Sequence, residues 1–241
     1  MAIGKVLISP DIEDKLGKDG VAETSASLWP EDCQTCGRPL GLRPPALCVD
    51  DLGGFAMATL HHERCRAPEW NQGSVTSSSG ALVTHRTRLV MLPLGDLRGT
   101  GLGVIPVIVV NPSMDNVVLV PDSGKWHPQM HAAFAAMGMV PPGPGLRLYK
   151  PITDATARLS GTAVTIAMQM PAPSDTYQCA LTESDAPFAR EIADQGGIML
   201  AVTYAVDPSS EDLGRQLRDA LRDKRLLCGW VALEGGRRRT H

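Results

Sequence analysis

Two cysteine- and histidine-containing pairs near the start of the chain constrain its fold more than any other feature. Cys33 and Cys36 are separated by two residues, His62 and Cys65 are also separated by two, and 25 residues lie between the pairs. Thiolate sulfur and imidazole nitrogen are ligands that zinc prefers, and two such pairs rarely arise by coincidence. The spacing therefore predicts a structural zinc site held by Cys33, Cys36, His62 and Cys65.

Two other side chains in this region are candidates that we weigh against that set. His61 can substitute for His62, because its i, i+4 spacing to Cys65 also brings both side chains to one face of a helical turn. The spacing typical of zinc fingers favours His62. Cys48 lies in an apolar segment that reads as a strand, and a cysteine in such a position is more often a small buried hydrophobe than a ligand.

The segments between the two pairs occur in the order expected of a zinc finger. Gly37 follows the first pair and permits a tight knuckle, residues 46–49 and 55–59 flank a hairpin turn, and His62 and Cys65 lie where a helix would begin. This order resembles the treble-clef class of zinc fingers, most nearly the first half of a LIM domain. The resemblance covers residues 33–65 and implies a structural zinc. No second cysteine pair follows, so the adaptor role of LIM proteins is not carried over.

Composition bounds the class of protein. A chain of 241 residues that is 43% hydrophobic can bury a sizeable core, as one large domain or as a domain with a small module attached; we expect the second. The net charge of −3 argues against a general affinity for nucleic acid. No apolar run approaches the ~20 residues that a membrane helix needs, and the N-terminus has no signal-peptide pattern.

Cysteine use and codon bias indicate the setting. Six cysteines, three of them in the zinc pattern, are too few for a disulfide scaffold in a chain of this length, which favours the cytoplasm. Arginine outnumbers lysine 17 to 6, a bias typical of a GC-rich bacterial genome. We therefore expect a cytoplasmic bacterial protein that does not enter a membrane.

The chain divides by sequence character into five segments, and we expect an α+β fold. The segments are an N-terminal lead-in (1–28), the zinc-binding module (29–72), a serine-rich linker or loop (73–80), an α+β domain (81–235) and a basic tail (236–241). The α+β domain should contain a mixed, mainly antiparallel sheet. Helices are predicted over 128–137, 186–194 and 211–225, the last within a C-terminal β-α-β unit.

Outside the zinc pattern, the densest cluster of chemically active side chains is Asp122, Lys125, His127 and His131. The two histidines are spaced i, i+4 at the start of the predicted helix, a spacing that could supply two metal ligands. The segment Asp122-Ser123-Gly124-Lys125 is not a phosphate-binding loop, because Leu119 stands where its first glycine should be. If the protein is an enzyme, these four residues are the catalytic candidates.

A stripe of arginines on the last predicted helix raises a further possibility. Arg215, Arg218, Arg222 and Arg225 recur every three or four residues, but aspartates are interleaved, so a solvated face laced with ion pairs is the usual explanation. Our leading hypothesis is a zinc-stabilised protein that binds a protein partner and is not an enzyme. The alternatives are an enzyme with its site near Asp122, and a nucleic-acid-binding accessory protein.

Overall fold

The computed structural model describes residues 5–29, 31–73, 85–94, 103–112, 116–128, 134–142, 151–169 and 175–235. The fold over these residues is α+β, and strands predominate. The helices are α1 (Pro10–Ser27), α2 (Ala186–Gln195) and α3 (Leu213–Arg222). The strands are β1 (Ala46–Asp51), β2 (Ala56–His61), β3 (Glu69–Gln72), β4 (Arg86–Leu94), β5 (Gly103–Asn111), β6 (Asn116–Asp122), β7 (Lys125–Pro128), β8 (Pro151–Leu159), β9 (Ala163–Met168), β10 (Asp175–Ala180), β11 (Gly197–Val202) and β12 (Leu227–Leu233).

The chain forms two compact units. The N-terminal unit comprises Met1–His85 and Pro112–His131, and the C-terminal unit comprises Arg86–Asn111 and Ala132–His241. This division differs from the predicted one, in which all of 81–235 forms a single domain. Most of the predicted linker (74–80) and the basic tail (236–241) lie outside the described residues.

Helix α1 makes the predicted lead-in part of the N-terminal unit. Ser9 caps the helix by accepting a hydrogen bond from the Ile12 amide (3.4 Å), and Pro10 occupies the first turn, as expected at a helix start. Gly17 has a left-handed φ of +69° and interrupts the helix, which then continues to Ser27. Ile12 and Leu16 are buried in the hydrophobic core of the unit, so α1 contributes to that core.

The sheet of the N-terminal unit has the strand order β3-β1-β2-β6-β7. Strands β1 and β2 pair as an antiparallel hairpin that closes at Asp51 and Ala56, which confirms the predicted hairpin. Strand β3 runs parallel to β1, and β6 adds to β2 in antiparallel register. The inward residues form one core that also contains Cys33: Leu47, Val49, Ala58, Leu60, Val117 and Leu119. The core therefore reaches the predicted metal site.

Strands β6 and β7 form a tight hairpin that extends to the first residue of the predicted helix over 128–137. Its two turn residues, Ser123 and Gly124, have φ values of +50° and +82°. Positive φ at both central positions is the two-residue turn that matches the twist of paired strands. Asp122 pairs with Lys125, and Pro128 ends β7 rather than starting a helix. Of the predicted helix over 128–137, the structure describes residues 128 and 134–137, and residues 134–136 are helical.

The sheet of the C-terminal unit has the order β10-β9-β8-β12-β11-β5-β4 and is mainly antiparallel, as predicted. The pairs β5–β11 and β8–β12 are parallel, and the other described pairs are antiparallel. The two terminal strands approach each other, because the Thr87 hydroxyl on β4 donates to the Gln178 carbonyl on β10 (2.8 Å). The sheet is therefore curled rather than flat.

The C-terminal strand–helix–strand segment has a different topology from the predicted β-α-β unit. Helix α3 packs Leu213 and Ala220 into a core with Met199 of β11 and Cys228 of β12, so it covers a sheet face as expected. However, β11 and β12 are adjacent and antiparallel, whereas a β-α-β unit joins parallel strands. A strand's hydrophobic pattern has the same period in either orientation, so the sequence could not decide between them.

The predicted helix over 186–194 is confirmed as α2, which ends at Gly196 in a left-handed conformation (φ +70°). Gly196 lacks a Cβ and adopts this conformation without the penalty that other residues incur. Across the described ranges, no helix is long and apolar enough to cross a membrane.

Candidate metal centre

The first predicted ligand pair lies on a folded-back loop that precedes β1. The Cys33 amide donates to the Arg38 carbonyl (2.9 Å), and the Gly37 amide donates to the Cys33 carbonyl (2.8 Å). Gly37 has a φ of +62°, the left-handed conformation that glycine favours. This knuckle turns the Cys33 and Cys36 side chains to the same side of the loop, as the spacing predicts.

The second pair lies in a turn immediately after β2. The amides of Cys65 and Arg66 both donate to the His62 carbonyl, at 2.8 and 3.0 Å. The turn leads to β3 and not to the helix that a treble-clef finger would place here, which is a correction to the prediction. Pro68 accounts for it, because a proline disfavours helical geometry in the residue before it and cannot donate within a helix.

The two pairs meet at one point. One ligand atom from each of Cys33, Cys36, His62 and Cys65 lies within 4.8 Å of the other three. His62 Nδ1 is 3.5 Å from the Cys36 sulfur and 3.8 Å from the Cys65 sulfur. All six cysteines of the chain are free thiols, so no disulfide competes for these sulfurs. The cluster is a possible metal site.

The hydrogen bonds of His62 leave the correct ring nitrogen available to a metal. Its Nε2 lies 2.9 Å from the carbonyl oxygen of Pro39, which can only accept, so Nε2 carries the proton. In the neutral imidazole, Nδ1 then has a free lone pair, and this atom faces the sulfurs. A backbone carbonyl that fixes the tautomer is the usual outer support of a metal-binding histidine.

His61, the alternative ligand, is not in the cluster. Its ring is fully buried, with Nδ1 at 2.8 Å from the Thr35 hydroxyl and Nε2 at 2.9 Å from the Thr59 hydroxyl. Burial, aided by the nearby Arg66 charge, lowers the pKa of His61 to about 4. Both ring nitrogens are occupied, so His61 is a neutral structural residue that joins the knuckle to β2.

The surroundings of Cys33 favour its thiolate. Burial alone raises the pKa of a thiol, but backbone amides of His62, Cys36 and Thr35 and the Cys36 side chain lower the pKa of Cys33 to about 6. The His62 amide donates to the Cys33 sulfur at 3.3 Å. The pKa of Cys65 is raised, first by burial and then by the neighbouring Cys36 and Cys33. A cation would relieve this accumulation of negative charge.

A buried ion pair supports the turn that carries His62 and Cys65. The Arg66 guanidinium binds the Asp50 carboxylate of β1 through two nitrogens (2.6 and 3.2 Å) and Glu69 through its Nε (2.7 Å). Asp50 is only 1% exposed and also accepts a hydrogen bond from the Asn71 side chain (3.0 Å). These bonds raise the pKa of Arg66, although burial alone lowers it. A lone aspartate in a strand has no distinctive spacing, so no sequence pattern marks Asp50 as part of this support.

Cys48 is a core residue and not a ligand. It is fully buried, its thiol donates to the Ala67 carbonyl (3.3 Å), and burial raises its pKa to about 12. A thiol that stays protonated is a poor metal ligand. The local environment therefore separates Cys48 from the three cysteines of the cluster, although all four are close in sequence.

The second predicted cluster is brought together only in part. Asp122 and Lys125 are cross-strand partners at the exposed end of the β6–β7 hairpin, where the Lys125 ammonium donates to the Asp14 carbonyl (3.1 Å). His127 is exposed on β7, where it pairs with Val120. It therefore lies in a strand and not in the predicted helix that would place it one turn from His131. His131 lies outside the described residues.

The arginine stripe on α3 is laced with ion pairs, as its pattern indicates. Arg215 pairs with Asp212 (2.6 Å), and Arg222 pairs with Asp219 (2.9 Å) and Asp223 (3.2 Å). Arg225 also binds Asp223 (3.2 Å). The carboxylates offset much of the positive charge that a polyanion would need.

Comparison with known proteins identifies no relative: no family model, no curated protein and no solved structure matches the chain. The treble-clef or LIM type suggested by the ligand spacing is therefore not confirmed. The function has to be inferred from the chemistry of the chain's own residues.

Proposed function

We propose that the chain is a zinc-binding interaction protein, in which the metal stabilises the N-terminal unit and that unit binds a protein partner in the bacterial cytoplasm. The observation that carries the proposal is the cluster of three sulfurs and one imidazole nitrogen within 4.8 Å of one another. Among the residues that the structure describes, it is the one group of three or more potential ligand side chains that lies so close together.

The donor set and its spacing fit zinc. A tetrahedral zinc ion bonds sulfur at about 2.3 Å and nitrogen at about 2.0 Å, which separates such ligands by about 3.5 Å. The two distances from His62 Nδ1 to sulfur, 3.5 and 3.8 Å, are close to this value. Magnesium and calcium prefer oxygen ligands, which the cluster does not offer.

Four protein ligands argue for a structural rather than a catalytic ion. They complete a tetrahedral coordination sphere and leave no position for an activated water. The ion would join the knuckle at 33–36, which precedes β1, to the turn at 62–65, which follows β2. In a site of this kind, the free energy of metal binding contributes to folding.

Metal analysis of the purified full-length chain tests the proposal. We expect about one zinc per chain by mass spectrometry of the metal content, and loss of zinc in Cys36→Ser. Cys179→Ser is the matched control, because Cys179 lies on β10 in the other unit and should retain zinc. Wild-type protein without a bound transition metal would contradict the proposal.

The two alternatives have less support. Asp122, Lys125 and His127 are exposed side chains on a hairpin, an environment that does not exclude water from a reaction. Three of the four arginines that would attract nucleic acid are paired with aspartates: Arg215, Arg222 and Arg225. An enzyme or a nucleic-acid-binding protein therefore remains a weaker hypothesis than a binding protein with a structural zinc.

A further inference from the structure

A pocket of about 400 Å³ adjoins the metal cluster. One wall is the loop at residues 40–45, between the cysteine knuckle and β1, and the other is the turn at residues 62–64. His62 belongs to both the cluster and the pocket wall. A metal ion that fixes His62 would therefore also fix the position of this wall.

The loop is held at both ends by backbone hydrogen bonds. At its start, the Leu40 amide donates to the Glu31 carbonyl (3.0 Å), and His62 Nε2 donates to the carbonyl of the preceding Pro39 (2.9 Å). At its end, the Leu7 amide donates to the Pro45 carbonyl (2.8 Å). A binding surface that is ordered in advance loses less conformational entropy when a partner binds.

The loop exposes an apolar side chain with no packing role. Leu42 is fully exposed, whereas Leu40, two residues earlier, is buried in the core of the unit. Gly41 between them has a φ of +71°. The chain turns at this glycine, so that Leu40 lies in the core and Leu42 in solvent. Pro44 and Pro45 add rigid apolar surface to the same pocket.

The pocket wall carries two exposed arginines, Arg43 and Arg64, and one exposed acidic residue, Glu63. Arg43 and Arg64 are exposed, and no carboxylate of a described residue lies within salt-bridge distance of either guanidinium. Arg66, close by in sequence, is instead paired with Asp50 and Glu69. Glu63 is the acidic residue in the pocket wall and leaves the lining with a net positive charge.

We propose that this pocket docks a short peptide segment of a protein partner in which one acidic side chain stands beside a large aliphatic one. The inference rests on the proposed function, because it assumes that zinc holds His62 in place. The carboxylate would bind the guanidinium of Arg43 or Arg64, and the aliphatic group would pack on Leu42 and Pro44.

The pocket chemistry argues for a peptide rather than a nucleic acid. Its apolar surface is aliphatic, and among the described residues no Phe, Tyr or Trp lines the pocket to offer a base a large stacking surface. Glu63 would repel a run of phosphates, as it would repel a strongly acidic peptide, whereas a segment with one carboxylate can place it away from Glu63. The charges therefore select a singly acidic segment.

A defined probe tests the proposal on the zinc-loaded full-length chain. The probe is a fluorescein-labelled, end-blocked peptide, Gly-Leu-Asp-Leu-Gly, and its partner peptide carries Lys in place of Asp. By fluorescence anisotropy we expect saturable binding of the acidic peptide, about tenfold tighter than the basic one. Leu42→Ser should weaken it by a similar factor while zinc content stays unchanged.

Charge reversal provides the sharper comparison. The double variant Arg43→Glu/Arg64→Glu should lose the acidic peptide and gain affinity for the basic one. Arg218→Glu is the matched control, because it changes an exposed arginine on α3 and should leave both affinities unaltered. Removal of zinc with a chelator should abolish binding of the acidic peptide.

The outcomes separate this proposal from the one on which it rests. If the zinc-loaded chain binds neither peptide, or both equally, the docking pocket is overturned while the structural zinc stands. The same holds if a single-stranded oligonucleotide binds in place of the peptide and depends on Arg43 and Arg64. If the purified chain carries no zinc, the proposed function fails first, and peptide binding without metal would contradict the role given to His62.

Discussion

At the scale of single residues, two adjacent histidines have opposite environments. His62 keeps one ring nitrogen free toward three sulfurs, whereas both nitrogens of His61 lie against threonine hydroxyls in the core. The difference follows from strand geometry, because successive side chains at the end of β2 point to opposite sides. One histidine can therefore serve the metal and the other the fold.

Replacement of each histidine by alanine, one at a time, tests whether His62 serves the metal and His61 the fold. We expect His62→Ala to weaken zinc binding by more than about 100-fold, because it removes a direct ligand. We expect His61→Ala to keep one zinc per chain but to lower the free energy of unfolding by about 2–4 kcal/mol, through a cavity and two unpaired hydroxyls. Competition with a chromophoric chelator and thermal denaturation measure the two effects. Equal zinc loss in both variants would contradict the assignment.

The buried thiol of Cys228 should make the free energy of unfolding depend on pH in the alkaline range. Burial raises its pKa from 9.0 to about 12 in the folded protein. Because the folded-state pKa is the higher one, the unfolded chain releases the proton first as pH rises above about 9. The contribution of the protonated Cys228 thiol to the free energy of unfolding is fully present below pH 9. It is lost between about pH 9 and 12, by up to about 1.4 kcal/mol per pH unit.

Cys228→Ala isolates this effect from the other groups that titrate at high pH. The difference in unfolding free energy between wild type and Cys228→Ala should shrink as pH rises above 9, as followed by urea denaturation at several pH values. A difference that stays constant would show that the thiol is not protected by burial.

At the scale of elements, a buried ion pair connects β1 to the turn that carries His62 and Cys65 of the cluster. Arg66 binds Asp50 through two nitrogens in a position where both side chains are largely hidden from water. A buried charge is tolerated only when it is paired, so the loss of one partner is more costly than the loss of an exposed charge.

Arg66→Ala should therefore lower the free energy of unfolding by about 3–5 kcal/mol, because Asp50 would lose its counter-charge. Arg64→Ala is the matched control: it is two residues away, exposed and without an ion-pair partner among the described residues, and should change stability by less than about 0.5 kcal/mol. Chemical denaturation of both variants gives the comparison, and similar effects would rule out the special role of Arg66.

The β6–β7 hairpin illustrates a local pattern with two readings. Pro128 followed by alanine-rich residues predicts a helix start, whereas Ser123-Gly124 between apolar runs is also a two-residue hairpin turn. The structure pairs Val120 with His127, so the hairpin prevails through β7. Pairing of β6 with β2 decides this, because it supplies an edge on which the hairpin can continue the sheet.

At the scale of the whole molecule, each unit has its own hydrophobic core. One core contains Cys33 and Trp70, and another contains residues of β5, β11 and α3. The metal cluster lies entirely within the N-terminal unit. Because the cluster residues and the C-terminal core share no side chains, the effect of the metal should be confined to one unit.

Chelation should therefore loosen one unit selectively. We expect hydrogen exchange to accelerate in residues 31–45 and 62–72 when zinc is removed, with amides of β11 and β12 unchanged. Exchange measured by mass spectrometry with and without a chelator tests this expectation. Uniform acceleration over both units would mean that the metal supports the entire fold.

The chain order does not follow the division into units. Strands β6 and β7 return to the sheet of the N-terminal unit after β4 and β5 have entered the other one. A division read along the sequence assigns 81–235 to one domain, because composition changes near 73–80 and no local feature marks the return. The chain passes between the units three times, after His85, Asn111 and His131, and long-range strand pairing sets these crossings.

The amino-acid sequence by itself predicted a cluster of three cysteines with His61 or His62, the β1–β2 hairpin and the position of α2, because each depends on neighbours within a few residues or on a characteristic spacing. Only the tertiary structure decided which histidine faces the sulfurs, that a turn and β3 replace the predicted helix, that β12 is antiparallel to β11, and that β6 joins β2. These outcomes depend on contacts between distant segments, whose free energies a local pattern does not contain.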